Sequence, residues 1–142
     1  MPYELIIIPF VTVILAQILK LATDGIKNNF NIINIFGKYG GMPSGHISFI
    51  ASLGALIVIK HGVDSSFFAI WIIFATIVMR DALGARREIG IHSSAIKKIS
   101  EKTNTNIPKL ITRMGHTPIE VIAGFLFGTG ITLIIKLLIS QI

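Results

Sequence analysis

Two histidines carry most of the chemistry open to this chain. His46 closes the string Pro43-Ser44-Gly45-His46, and His116 opens the string His116-Thr117-Pro118-Ile119-Glu120. A carboxylate four residues from an imidazole can bond one ring nitrogen, fix the tautomer and leave the other nitrogen as base or nucleophile. His116 and Glu120 have that spacing. Glu120 also has a structural reading, because Thr117 at a helix cap, Pro118 at the first helical position and Glu120 three residues after the cap form a capping box. The two roles are compatible. Ahead of His46, Gly40 and Gly41 allow close backbone approach and Ser44 can cap the following helix, whose free amides would attract an anion. The competing reading is an ordinary N-cap followed by a satisfied histidine.

Charged residues gather near both strings. Arg80, Asp81, Arg86 and Arg87 follow one apolar run, and Lys20 ends another. The planar guanidinium suits bidentate phosphate binding, whereas Lys20 either snorkels to a membrane interface or binds an anion. Lys97, Lys98, Lys102 and Lys109 read as a basic patch meeting anionic lipid headgroups. His61 and His92 stand away from the other two histidines and read as surface residues.

The elements that must position these groups are helices in a membrane. Of the 142 residues 52% are hydrophobic and 14% charged, with a mean hydropathy of +0.76, too apolar for a soluble domain of this size. The expectation is an all-α integral membrane bundle, a single domain over 1–142 with about four transmembrane helices plus short interfacial helices. Spans are expected near 5–21, 44–60, 65–80 and 118–139. The first and last approach the ~20 residues of a comfortable crossing, while the middle two are short. A re-entrant hairpin is therefore the alternative for the middle pair, with Gly62 as a helix stop and Asp64 or Ser65 as a cap. The opening run lacks a positive flank and a small-residue cleavage site, so it is expected to stay as a span.

Counting crossings puts 22–43 and 81–117 on one side. Every Lys and Arg except Lys60 and Lys136 lies in or beside those two segments, which the positive-inside rule assigns to the cytoplasm. The reading is a multi-pass cell-membrane protein whose site faces the cytoplasm. Its formal charge of +6 is explained by orientation and anionic lipid, without a nucleic-acid partner. The absence of cysteine excludes thiolate chemistry and disulfides. Residues 93–102 are spaced for a short surface helix with Lys97 and Glu101 paired, and 28–34 read as a loop or short interfacial helix. Gly124 and Gly128 suit close helix packing, and Trp71 and the phenylalanines read as core or lipid-facing filler.

In these strings the chain resembles the type 2 phosphatidic acid phosphatase superfamily, and within it a small divergent bacterial branch. Pro43-Ser44-Gly45-His46 matches the superfamily's P-S-G-H, and the string from His116 to Gly124 looks like its H-x-P-x-D-V-x-A-G. The Gly-Gly-Met-Pro-Ser start, the stretch from Asp81 to Arg87 and Gly115-His116-Thr117-Pro118 resemble the divergent branch in particular. The resemblance implies a phosphatase that needs neither metal nor cofactor. His116 would attack phosphorus to form a phosphohistidine, Glu120 would orient it, and His46 would protonate the leaving oxygen. Ser44, Gly45, Lys20, Arg80, Arg86, Arg87 and Arg113 would hold the phosphoryl oxygens, with Asp81 in support. The implied substrate is a lipid phosphate or isoprenoid diphosphate whose tail stays in the bilayer.

The chain departs from the superfamily pattern in several places. No Arg-Pro pair follows Lys20, Leu110 stands where the third motif has an arginine, and Glu120 replaces an aspartate. Four spans in place of the usual six leave the pocket less enclosed, which leaves room for a homodimer. Two other readings stay open: a non-catalytic membrane protein that binds anionic lipid or a protein partner, and a haem or metal held by His46 and His116, with Glu120 and Asp81 the only further ligands nearby.

Overall fold

The computed structural model describes residues 3–24, 41–108, 110–112 and 114–141. Among them are five α-helices and no strand: α1 (Glu4–Asp24), α2 (Gly45–His61), α3 (Ser66–Leu83), α4 (Ala85–Thr103) and α5 (Pro118–Ser140). The segment 28–34, Lys109 and Arg113 lie outside the described residues. Helix α1, the run from α3 into α4, and α5 are long and apolar enough to cross a membrane, and α2 is a shorter apolar helix of 17 residues. Their outer faces carry exposed Ile6, Ile14 and Ile18 on α1, Ile70 and Ile73 on α3, and Leu126 and Leu137 on α5. Such faces are stable against hydrocarbon rather than water. The all-helical membrane fold expected from composition is what the chain adopts.

Helix α2 is central, with α1, α3 and α5 packed on it and α4 packed on α3. Its spacing explains why. Ser44, Ser48 and Ser52 recur every four residues and meet Gly124, Gly128 and Thr132, also four apart, so two rows of small residues bring the backbones of α2 and α5 together. A Cβ at Gly124 would sit 2.8 Å from the Ser44 carbonyl oxygen, and one at Gly128 would overlap Ser48. In this dry interface each hydroxyl needs a partner. Ser48 Oγ donates to the Ser44 carbonyl (2.9 Å), Thr132 Oγ1 lies 2.6 Å from Ser52 Oγ and 2.8 Å from the Gly128 carbonyl, and Thr12 of α1 is 3.3 Å from Ser52. On the opposite side of α2, Trp71 of α3 packs against Gly54 and donates its indole N–H to the Ile50 carbonyl at 2.8 Å. Trp71 is thus core.

The turn between α2 and α3 follows its local chemistry. Gly62 takes a φ of 77° that disfavours any side chain, and Ser65, rather than Asp64, caps α3 by accepting from the Phe68 N–H. Helix α4 corrects the expected short helix at 93–102, since it begins at Ala85 directly after α3. Gly84 carries the chain across, its N–H bonded to the Arg80 carbonyl and its own carbonyl accepting from Glu88. Too few apolar residues mark 85–92 for periodicity to reveal the helix. The i,i+4 pairs His92–Glu88 and Lys97–Glu101, both at 3.9 Å and exposed, run along it and contribute little stability each.

At one end of the bundle Glu4, opening α1, accepts from Lys136 of α5 at 2.9 Å and pairs with Lys60 of α2 at 3.0 Å. The start of α1 and the ends of α2 and α5 therefore lie together. The opposite end holds the finish of α1 and the starts of α2 and α5.

Candidate active site

Three helix ends and one loop bring the site together. The loop before α5 is fixed by the His116 backbone N–H, which donates to the Ala82 carbonyl near the end of α3 at 3.1 Å. Gly115, at a φ of 81°, lies so close to the backbone of Arg86 and Arg87 that a Cβ would overlap it, and Gly90 of α4 meets the Met114 carbonyl in the same way. Two glycines thus let the segment carrying His116 lie against the first turns of α4. Nothing in the residue spacing pointed to these contacts in advance.

His116 is 8% exposed, Lys20 9% and Ser44 fully buried. The charges of Glu120, Lys20 and Arg86 and the ring of His46 all act on His116, and His46 lies within electrostatic reach of Arg86, Asp81 and Lys20. Six expected site residues, Lys20, His46, Asp81, Arg86, His116 and Glu120, therefore form one electrostatic group. Asp81 pairs with Arg86 through its carboxylate and Nε, an ion pair that aims the guanidinium. Arg80 is exposed. Arg87 is exposed too, yet it shares a pocket of about 370 Å³ with His116, Glu120, Ser94 and Thr112. His46 opens on a different concavity, an apolar groove between α1, α2 and α3.

Burial pushes the His116 imidazole down to about 4, helped by Lys20, His46 and Arg86 and opposed by Glu120. At neutral pH the ring is uncharged, the state a nucleophile needs. Its Nδ1 is buried without a hydrogen-bond partner, as is the Ser44 hydroxyl. Both facts refine the local expectations. Glu120 spends its carboxylate on the capping box, accepting from the Thr117 N–H at 2.7 Å while its own N–H donates to Thr117 Oγ1 at 3.3 Å, and so it acts on His116 through charge. Ser44 occupies the N-cap position of α2, but its hydroxyl makes no cap bond. Gly124 lies against Ser44, and the hydroxyl is buried where α2 and α5 meet. His61 stacks near Phe67 at a ring distance of 4.6 Å, and His92 is exposed beside Glu88. Neither joins the site.

Comparison with known proteins agrees with this picture at the level of the family. The model of the Divergent PAP2 family matches residues 2–131. An uncharacterized membrane protein of Bacillus subtilis, YuiD, is 33% identical, with 87% of each chain covered. No solved structure matches the chain.

Proposed function

The chain belongs to the Divergent PAP2 family, and on that premise we propose that it is a membrane phosphatase acting on a lipid phosphate or isoprenoid diphosphate. The observation that carries the reading is His116: buried, uncharged at neutral pH, with a ring nitrogen lacking a partner and two cations acting on it. In the reaction the neutral imidazole attacks phosphorus, the bond to the leaving oxygen breaks, and His46 gives that oxygen a proton. Water then opens the phosphohistidine, with His46 taking the proton back. Phosphoryl transfer spreads charge over three oxygens, so fixed cations and donors supply much of the rate. Lys20, Arg86, held by Asp81, and the Ser44 hydroxyl are the groups for that task, with Gly45 allowing close approach and Arg87 at the pocket rim.

The reading places the site at the cytoplasmic interface, where the headgroup reaches the histidines while the tail stays in the bilayer. Purified protein given lipid phosphates and prenyl diphosphates should release phosphate in the presence of a chelator and be inhibited by vanadate. A requirement for added divalent metal, or turnover unchanged in both His116→Ala and His46→Ala, would overturn the proposal. One observation favours a second reading. Helix α4 exposes Lys97, Lys98 and Lys102 beside Ile89, Ile96 and Ile99, a face suited to anionic lipid surfaces. A protein that binds such lipids with no phosphate release in any assay would fit that reading instead.

A further inference from the structure

The groove that His46 lines has a volume of about 520 Å³ and runs between α1, α2 and α3. Among the described residues Gln17 is its only polar side chain apart from His46, and the walls are Ile14, Ile18, Phe10, Phe49, Phe74 and their neighbours. Phe10, Ile14, Ile18 and Phe74 are more than half exposed, so the groove opens sideways onto the lipid-facing surface. Along α1 it extends from Phe10 to Leu21, about 16 Å at 1.5 Å per residue, close to half of the ~30 Å hydrocarbon core of a bilayer. One end therefore lies at the headgroup level, beside His46 and the cations that act on it, and the other near the middle of the membrane. Phe10, at the deeper end on α1, meets Phe49, which stands three residues after His46 on α2, edge to face with ring centroids 5.3 Å apart, and Phe74 stands on the α3 wall.

We propose that this groove seats one hydrocarbon tail of a phosphorylated lipid whose headgroup lies among His46, Lys20 and Arg86, and that Phe10 and Phe74 limit the length of that tail. The inference rests on the phosphatase reading only for where the headgroup sits. Length argues for a tail from a single leaflet, and charge for a phosphate at its head: Lys20 and Arg86 act on His46 at the mouth together with Asp81, which Arg86 pairs, and among the described residues no carboxylate lines the walls. A second tail, where the lipid has one, stays in the surrounding bilayer.

The test uses the full chain in phosphatidylcholine nanodiscs with a long-chain lipid monophosphate that carries a photoactivatable diazirine in mid-tail. The His116→Ala variant is probed in parallel, so that labelling does not depend on turnover. Adducts are expected on the peptides holding Phe10, Ile14 and Phe74. Unlabelled lipid monophosphate should compete them away, and glycerol phosphate should not. Ile14→Trp, which fills the groove from an exposed position, should weaken capture about tenfold through lost tail burial, and Ile70→Trp on the outer face of α3 should leave it unchanged. Phe74→Ala should shift capture towards longer tails. Adducts scattered over the lipid-facing surface, equal labelling by the corresponding alcohol without phosphate, or labelling displaced by contacts between two copies would each overturn the proposal. Groove adducts without phosphate release would keep the tail site and remove the phosphatase. Phosphate release with adducts elsewhere would do the reverse.

Discussion

The two ends of the bundle are built from the same helices and treat their charges in opposite ways. At the Glu4 end, one carboxylate draws in Lys60 and Lys136, the only two cations outside the segments 22–43 and 81–117 and their borders. This cluster fastens α1, α2 and α5 through one carboxylate that two ammonium groups share. At the other end, α1 contributes Lys20, α2 Ser44 and His46, and the start of α5 Glu120 behind His116, yet the Ser44 hydroxyl and His116 Nδ1 are buried without partners. A buried polar atom without a partner costs about 1–3 kcal/mol. The Glu4 end satisfies its polar atoms, whereas the His116 end leaves two buried ones without partners, a cost that the proposed phosphatase function would explain.

Substitutions at the two ends should separate accordingly. His116→Ala should lower phosphate release by about 10³-fold or more, since it removes the nucleophile, and His46→Ala by about 10²–10⁴-fold, as for loss of a general acid. Thermal unfolding in detergent should show both variants at least as stable as the parent. Glu4→Gln should do the opposite, changing turnover little while lowering the thermal unfolding temperature, because it removes the carboxylate that Lys60 and Lys136 share.

A substitution at the α2–α5 contact couples the two ends. Gly124→Ala forces a methyl to within 2.8 Å of the Ser44 carbonyl and 3.2 Å of Ser44 Cβ. Overpacking of this kind costs about 1–3 kcal/mol. Because the displaced residue belongs to the site, the fractional loss of turnover should exceed that of Gly128→Ala, which overlaps Ser48 one turn deeper. Equal losses would mean that Ser44 does not touch substrate.

Acid sharpens the contrast. The folded His116 accepts its proton only near pH 4, while an unfolded imidazole does so near pH 6.5. Between those values the unfolded chain holds more protons, so stability falls as the pH falls through this window. His116→Ala should flatten that slope, and Glu4→Gln should not. The acid limb of the rate profile should lie near pH 4 as well. Glu120→Gln removes the one charge that raises His116, so this limb should move to still lower pH. Thr117→Ala, which deletes the cap, should cost about 1 kcal/mol with a smaller kinetic effect.

Much of the His116 end could be read from residue order. Pro43-Ser44-Gly45-His46 and the string from His116 to Glu120 lie at polar-to-apolar boundaries, where a helix begins, and the capping box is written in Thr117, Pro118 and Glu120. The pairing of Arg86 with Asp81 rather than with a neighbour, the exposure of Arg80 and the packing of Gly90 and Gly115 were hidden, because they depend on how α3, α4 and the loop meet in space. Small residues told part of the story: Gly124 and Gly128 signalled close packing, but the matching Ser44, Ser48 and Ser52 row was overlooked as a helix face. The Glu4 cluster joins residues 56 to 132 positions apart, far beyond any local pattern, although an acid facing the two cations stranded on its side of the membrane was a usable signal. The helix over 85–92 does not show in the sequence because only Ala85, Ile89 and Ile91 are apolar there, and the stripe through Ile89 emerges only when it is joined to Ile96 and Ile99.

The most direct test of the account is to trap the covalent intermediate. Purified protein is mixed with a lipid phosphate labelled at phosphorus, quenched within the first turnover under conditions that preserve phosphohistidine, digested and mapped by mass spectrometry. The label is expected on His116 and nowhere else, to persist longer in His46→Ala if hydrolysis needs that base, and to be absent from His116→Ala. Label on another residue, or phosphate release with no labelled His116 at any time point, would contradict the claim that this buried imidazole is the nucleophile.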